Sequence, residues 1–206
     1  MDGIKLPKPG KVKSAALFNA MANRESRRAF GPRALTVAEL GAVLWAAGGE
    51  KETHPGGRVP PSAGACYPLD VYVSIRSGGV EGISEGIYLY QPAASALKRI
   101  AEGDFSEEIA DACHGQKFTA KAQAAVLLAA EFERTTYKYG SRGVRYVYMD
   151  AGHAGGNMYL AAEGLGLATC AVGALSDEAL KAAFRLPKEL TAVYLFPVGA
   201  RTQNER

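Results

Sequence analysis

Residues 58–75 read RVPPSAGACYPLDVYVSI, and two opposed kinds of sequence meet in them. Val71, Val73 and Ile75 alternate with Tyr72 and Ser74, the period-two pattern of a half-buried strand. Directly before that strand, the five residues from Ser62 to Cys66 are all small. Small side chains either make a turn or let the backbone lie close to something flat, and these residues alone leave both readings open.

Outward from the strand, the chain alternates helical and extended signals. GIYLYQP (86–92) reads as the strand's hairpin-like neighbour across a Gly-rich connection, and GEKETHPGGR (49–58) as a loop. Upstream, Thr36 caps a helix with Glu39 completing a capping box; Val37, Leu40 and Leu44 share one face, and Gly48 and Gly49 end it. Ser14 caps an earlier helix carrying Leu17, Phe18 and Met21. Downstream, FSEEIADACH (105–114) is a short helix, and the unbroken apolar run AAVLLAAEF (124–132) suits a strand covered on both faces. EFERTTYKYGSRG (131–143) reads as a loop.

The longest periodic segment runs from about Val144 to Leu165, with Val147, Ala151, Ala154, Met158, Ala161 and Leu165 on one mostly small face that a second helix could approach closely. Gly164 and Gly166 end it, ATCAVGA (168–174) reads as a strand, Ser176 with Asp177 and Glu178 starts a last helix, and AVYLFPVGA (192–200) is a final strand. Strands and helices mix without strict alternation, which predicts an α+β fold with a central, largely antiparallel sheet flanked by helices. Residues 1–206 are expected to form a single domain, with 1–13 as an N-terminal arm.

The bulk numbers bound the function. A chain of 206 residues that is 48% hydrophobic can bury one sizeable core. A net charge of +3 and a pI near 8.7, without a concentrated basic stripe, argue against nucleic acid. Cys66, Cys113 and Cys170 fit neither a disulfide framework nor paired metal ligands and read as reduced thiols. No signal-peptide or membrane-spanning pattern is evident, so the expected location is the cytoplasm.

Chemistry written in side chains is scarce. His54, His114 and His153 lie far apart with no metal-ligand spacing, Ser62 sits in no nucleophile elbow, no Walker loop is present, and the glycines of GHAGGNMYLAAEG (152–164) fall inside a helical pattern, not after a strand. In NRESRRAFG (23–31), Arg24, Ser26 and Arg28 alternate, so an extended backbone would aim all three to one side and suit a phosphate. The same residues also read as a solvated basic helix end. The polar stripe Arg142, Tyr146, Asp150, His153 and Asn157 reads either as a satisfied or solvated face, or as bringing Tyr146 or His153 to a substrate pocket.

Taken in order, several stretches resemble one family. RESRRAF (24–30) is similar to the R-x-S-x-R-x-F signature of the nitroreductase family of FMN-dependent oxidoreductases. PPSAGACYPLDVYV (60–73), AGHAGGNMYLAAEGLGL (151–167), CAVGAL (170–175) and PVGA before Arg201 resemble segments of its thiazole/oxazole-dehydrogenase-like, SagB-type branch. The matches run from about residue 15 to 201.

The resemblance implies an entwined homodimer with FMN across the interface. Arg24, Ser26 and Arg28 would hold phosphate and ribityl oxygens, and Arg201 would return to the phosphate. Pro61, Ser62, Ala63, Gly64 and Ala65 would form a thin wall beside the ring, contributed by the other subunit. Val172, Gly173 and Ala174 would offer backbone groups to the flavin edge. Many members have an asparagine in the wall where this chain has Ala65, which weakens the transfer of their quinone or nitroarene activity. Arg58 reads equally as a cofactor-facing or a loop arginine.

The activity implied is hydride transfer between NADH or NADPH, or an organic donor, and a small-molecule acceptor stacked on the flavin. The alternatives are oxidation of a peptide azoline to an azole with partner proteins, and a flavin-binding module without turnover.

Overall fold

The computed structural model describes residues 15–202. At its centre is the apolar run read as a doubly covered strand. Ala124–Ala130 forms β6, buried at all seven positions. It pairs antiparallel with β3 (Leu69–Ile75) on one side and β8 (Thr191–Ala200) on the other. Beyond β3 lie β4 (Gly86–Gln91) and β5 (Ala96–Glu102), and beyond β8 lies β7 (Leu167–Thr169), giving the order β5-β4-β3-β6-β8-β7 with every ladder antiparallel. The expected α+β architecture, a central antiparallel sheet flanked by helices, is what the chain adopts.

Each sheet face carries its own core. On one, α2 (Val37–Gly48) and α6 (Arg142–Gly164) press Leu40, Leu44, Ala151, Ala154 and Met158 onto Val71, Val73 and Ile75. On the other, α3 (Ser106–Ala112) and α7 (Asp177–Ala183) bring Ile109 and Leu180 against Tyr72 and Leu127. Each buried Leu or Ile contributes roughly 1.5–3 kcal/mol by leaving water. The alternation in β3 therefore separates two cores, and the expectation of a half-buried strand is corrected: Tyr72 and Ser74 are as buried as their neighbours.

The punctuation of α2 is the predicted capping box. Thr36 Oγ1 accepts from the Glu39 N–H at 3.1 Å, and the Glu39 carboxylate accepts from the Thr36 N–H at 2.8 Å. Arg33 adds two hydrogen bonds of 2.8 Å and holds the Glu39 carboxyl down to about 2. Val37, expected on the inner face, is exposed. Ser176 caps α7 as anticipated, accepting from Ala179 N–H.

Four expectations need correction. Residues 49–58 hold a small hairpin, β1 (Glu50–Lys51) with β2 (His54–Arg58), whose pairing is irregular where Gly56 takes φ +78° and its N–H donates to the Glu50 carboxylate at 2.8 Å. Much of the presumed loop 131–143 is a helix, α5 (Glu133–Tyr139). The strand expected over 168–174 stops at Thr169, after which only Val172 bridges Leu195. The small face of α6 serves this chain's own core, with Val147, Ala151, Ala154 and Met158 all buried. Outward, α6 instead presents Val144, Tyr148 and Met149, followed by Gly152 and Gly156, above which a built Cβ meets nothing within 4 Å.

α1 (Ala15–Asn23) leaves Leu17 and Met21 exposed. Ser14 and the arm 1–13 lie outside the described residues. No helix of the described residues is long and apolar enough to cross a membrane.

Candidate functional site

The segment after α1 is tied to the end of the sheet by its backbone. Arg27 N–H donates to Thr169 O at 2.9 Å and Gly31 N–H to Ala200 O at 2.8 Å. Gly31 must lack a side chain, because a Cβ there would sit 2.7 Å from Arg201 O. Beneath the segment, the nearly buried carboxylate of Glu163 takes Arg27 Nη1 and Arg201 Nη2 on one oxygen, each at 2.7 Å.

On the outer side, Arg24 and Ser26 converge on Tyr159 of α6. The Arg24 guanidinium lies 5.1 Å over its ring, and Ser26 Oγ shares a 2.7 Å hydrogen bond with its hydroxyl. Arg28 turns elsewhere, 5.7 Å over the ring of Phe118. The alternating residues thus do not all share one side, but all three are exposed, leaving two guanidiniums and a hydroxyl at the surface. Arg201 also donates to Leu167 O at 3.3 Å, so its guanidinium is engaged within the fold.

Tyr159 does a second job that its sequence position did not announce. Its hydroxyl accepts from the Ala171 N–H at 2.8 Å, fastening the stretch that leads into Val172, Gly173 and Ala174. Val172 is held to Leu195 by two backbone hydrogen bonds of 2.8 and 3.1 Å, and Gln116 Nε2 donates to Ala174 O at 3.0 Å. Gly173 and Ala174 remain exposed. A Cβ on Gly173 would meet only the Tyr194 ring, at 3.7 Å.

Residues 61–65 make the turn that their size allowed. Ala63–Ala65 form one tight helical turn, with Gly64, Ala65 and Tyr67 at φ +58°, +54° and +46°. Left-handed backbone costs a residue other than glycine about 1–2 kcal/mol, and such strain gathers at functional sites. Pro61, Gly64 and Ala65 nonetheless face solvent as a thin edge.

Several polar groups hold this turn. Asp150 of α6, almost wholly buried, accepts from Ser62 Oγ at 2.7 Å and from Ala63 N–H at 3.3 Å. Ser62 Oγ in turn accepts from Tyr67 N–H at 2.9 Å. Arg134 of α5 grips Asp70 with hydrogen bonds of 2.9 and 3.0 Å and Glu131 with one of 2.7 Å. Lys138 Nζ donates to Gly64 O at 3.2 Å. A Cβ on Gly64 would collide with the Tyr139 hydroxyl and come within 2.7 Å of Lys138 Nζ.

The polar stripe of α6 accordingly serves this turn. Asp150 is its buried anchor, Tyr146 packs edge-on to Tyr139 at 5.1 Å, and His153 is half exposed with Nδ1 4.0 Å from Asp150. Arg58 lies beside Glu50 at 3.6 Å. Asp150 and Tyr159 are nine residues apart, so the turn and the arginine segment sit roughly 13 Å apart along α6. One chain therefore brings Arg24, Ser26 and 171–174 together, and keeps the 61–65 edge separate.

Burial pushes the Cys113 thiol up to about 11, which suits packing and not nucleophilic attack. Among the described residues no cluster of His, Cys, Asp and Glu is placed to hold a metal.

Comparison with known proteins identifies the family. The model of the nitroreductase family matches residues 21–200. MJ1384 of Methanocaldococcus jannaschii, which carries the nitroreductase name, is 39% identical over 200 residues, 97% of each chain. The microcin B17-processing protein McbC of Escherichia coli is 30% identical over 110 residues, 52% of this chain and 40% of McbC. A crystal structure from Anabaena variabilis, of a chain also named for this family, superposes with a TM-score of 0.79 at 26% identity, over 90% of this chain but 38% of its own. The match over nearly the whole length, on a fold with the same antiparallel sheet, establishes that this chain belongs to the nitroreductase family.

Proposed function

We propose that the protein is an FMN-dependent oxidoreductase, passing hydride between NADH or NADPH, or an organic donor, and a small acceptor. The observation that carries this reading is the gathering of Arg24, Ser26 and residues 171–174 by Tyr159, with a second, thin and strained edge at 61–65. These residues fit the cofactor. The exposed guanidiniums of Arg24 and Arg28 are donors suited to a phosphate, and an edge of Gly and Ala leaves room for a flat ring. Arg201 would act on the phosphate from behind, through Glu163 and Arg27.

FMN would supply the two-electron chemistry, and the protein binding and orientation. Lys138 and Tyr139 lie against Gly64 and would face a substrate resting on the ring. The stretch 131–143 would thereby help to set specificity.

The 61–65 edge would come from a second subunit, in a homodimer. Exposed Val144, Tyr148 and Met149, with the bare backbone of Gly152 and Gly156 next to them, offer an apolar strip for a close partner, and Trp45 and Val37 of α2 extend the exposed apolar surface. An obligate interface buries about 2,000 Å² or more. Sedimentation is expected to give a dimer carrying two FMN; a stable flavin-loaded monomer would contradict it.

The resemblance to McbC favours a second reading, in which the same site oxidises a peptide azoline to an azole alongside partner proteins. Adding NADPH or NADH anaerobically to the FMN-loaded protein tests turnover. Bleaching of the yellow colour is the expected result. A flavin that stays oxidised with every donor, and with an azoline peptide, would leave a binding module.

A further inference from the structure

Behind the 61–65 edge lies a cleft of about 90 Å³ between the end of α2, the start of β3 and the end of β4, lined among others by Arg58, Ser62, Asp70, Tyr90, Arg134 and Asp150. It has room for a side group of a few heavy atoms and not for a ring cofactor. Two of its polar groups have no hydrogen bond among the described residues: the buried hydroxyl of Tyr90, a residue only 4% exposed, and the buried Nη1 of Arg58. Buried polar atoms are nearly always paired, so the orphaned Tyr90 hydroxyl, beside an Arg58 Nη1 engaged only by its 3.6 Å ion pair with Glu50, points to a ligand acceptor.

The charges around the cleft decide what kind. Asp70 is matched by Arg134, and Asp150 accepts from the Ser62 hydroxyl and the Ala63 N–H. Arg58 already faces Glu50 at 3.6 Å. With Arg58 and Arg134 set against Asp70, Asp150 and Glu50, a carboxylate would enter against a surplus of negative charge. An uncharged oxygen would not.

We propose that this cleft anchors the substrate by a neutral carbonyl or amide oxygen, received by Tyr90 or Arg58. The proposal rests on the oxidoreductase reading, in which the cleft, behind Pro61 and Ser62, would hold a part of the substrate remote from the atoms that react on the flavin.

The test is a titration of the full-length chain, with and without FMN and with 13C-labelled tyrosine, by N-methylacetamide, with acetate as the charged counterpart. The Tyr90 ring signal, identified by its absence in Tyr90→Phe, should shift saturably. Ligand-observed binding of N-methylacetamide should weaken roughly two- to tenfold in Tyr90→Phe, the loss of one neutral hydrogen bond, and also in Arg58→Met, which stands in should Tyr90→Phe not fold. Acetate should bind more weakly than the amide. FMN affinity should be unchanged in Tyr90→Phe. A Tyr90 signal that does not move, binding unaffected by both variants, or acetate binding tighter than the amide would overturn the proposal. Amide binding in a chain that takes no FMN would remove the oxidoreductase reading and leave the cleft's chemistry standing.

Discussion

Replacing Glu163 by alanine is expected to lower stability by about 3–5 kcal/mol, among the largest losses any single charged residue here should give. The carboxylate is 9% exposed and one of its oxygens serves two guanidiniums, Arg27 and Arg201, themselves only 10% and 18% exposed. Removing it leaves two largely desolvated positive charges side by side, with Arg27 still reaching Glu25 at 3.0 Å on the surface. Glu163→Gln keeps the shape and one acceptor and should lose less. Urea denaturation of the three proteins measures this. A loss under about 1 kcal/mol for the alanine variant would place the pair in the class of solvent-screened surface bridges. Because the pair binds the segment of Arg24, Ser26 and Arg28 to the end of β8, the variant should also hold FMN more weakly.

Gly64→Leu should abolish retention of flavin. The position has φ +58°, and its missing Cβ is where the Tyr139 hydroxyl and Lys138 Nζ already lie. A leucine must therefore push α5 away or push the turn outward, into the place assigned to the ring. A stability cost of about 1–3 kcal/mol should accompany this, so the readout is the flavin-to-protein ratio of folded material. Ala65→Gly separates the two effects. It relaxes a left-handed alanine without adding bulk, and should be neutral or slightly stabilising with flavin retained. A Gly64→Leu protein as yellow as the parent would make the segment an ordinary turn.

What the sequence disclosed, and what it hid, has physical causes. The doubly buried β6, the capping box at Thr36 and Glu39 and the Ser176 cap are local signals that tertiary packing does not overrule. The β1–β2 hairpin escaped because Pro55, Gly56 and Gly57 occupy most of its second strand, a composition that reads as loop. α5 escaped because it has seven residues, two of them β-branched Thr135 and Thr136, with only Thr135 buried. The small face of α6 correctly announced close packing, but periodicity cannot say against which partner, and the partners are this chain's own α2 and sheet.

Motif spacing brought out the arginine segment and the 61–65 edge, whereas the groups that position them were missed. Tyr159 lies inside a long helix and carries no motif signal of its own. Its polar neighbour Glu163, one turn on, was the available sign that this face of α6 meets something polar. Asp150 stood in the polar stripe without showing that it was the buried member holding Ser62 and Ala63.

The most direct measurement of the central claim is the titration of FMN and of riboflavin, which lacks the phosphate, into the parent protein and into Arg28→Ala. Arg28 is exposed, over Phe118, in the segment assigned to the phosphate. A hydrogen bond to a charged group contributes about 1.5–3 kcal/mol, and about 1.4 kcal/mol is tenfold in affinity. Arg28→Ala should therefore weaken FMN by roughly ten- to a hundredfold and change riboflavin little. Equal losses for the two flavins would mean that Arg28 shapes the fold and does not read a phosphate, and an arginine-held FMN site would be contradicted.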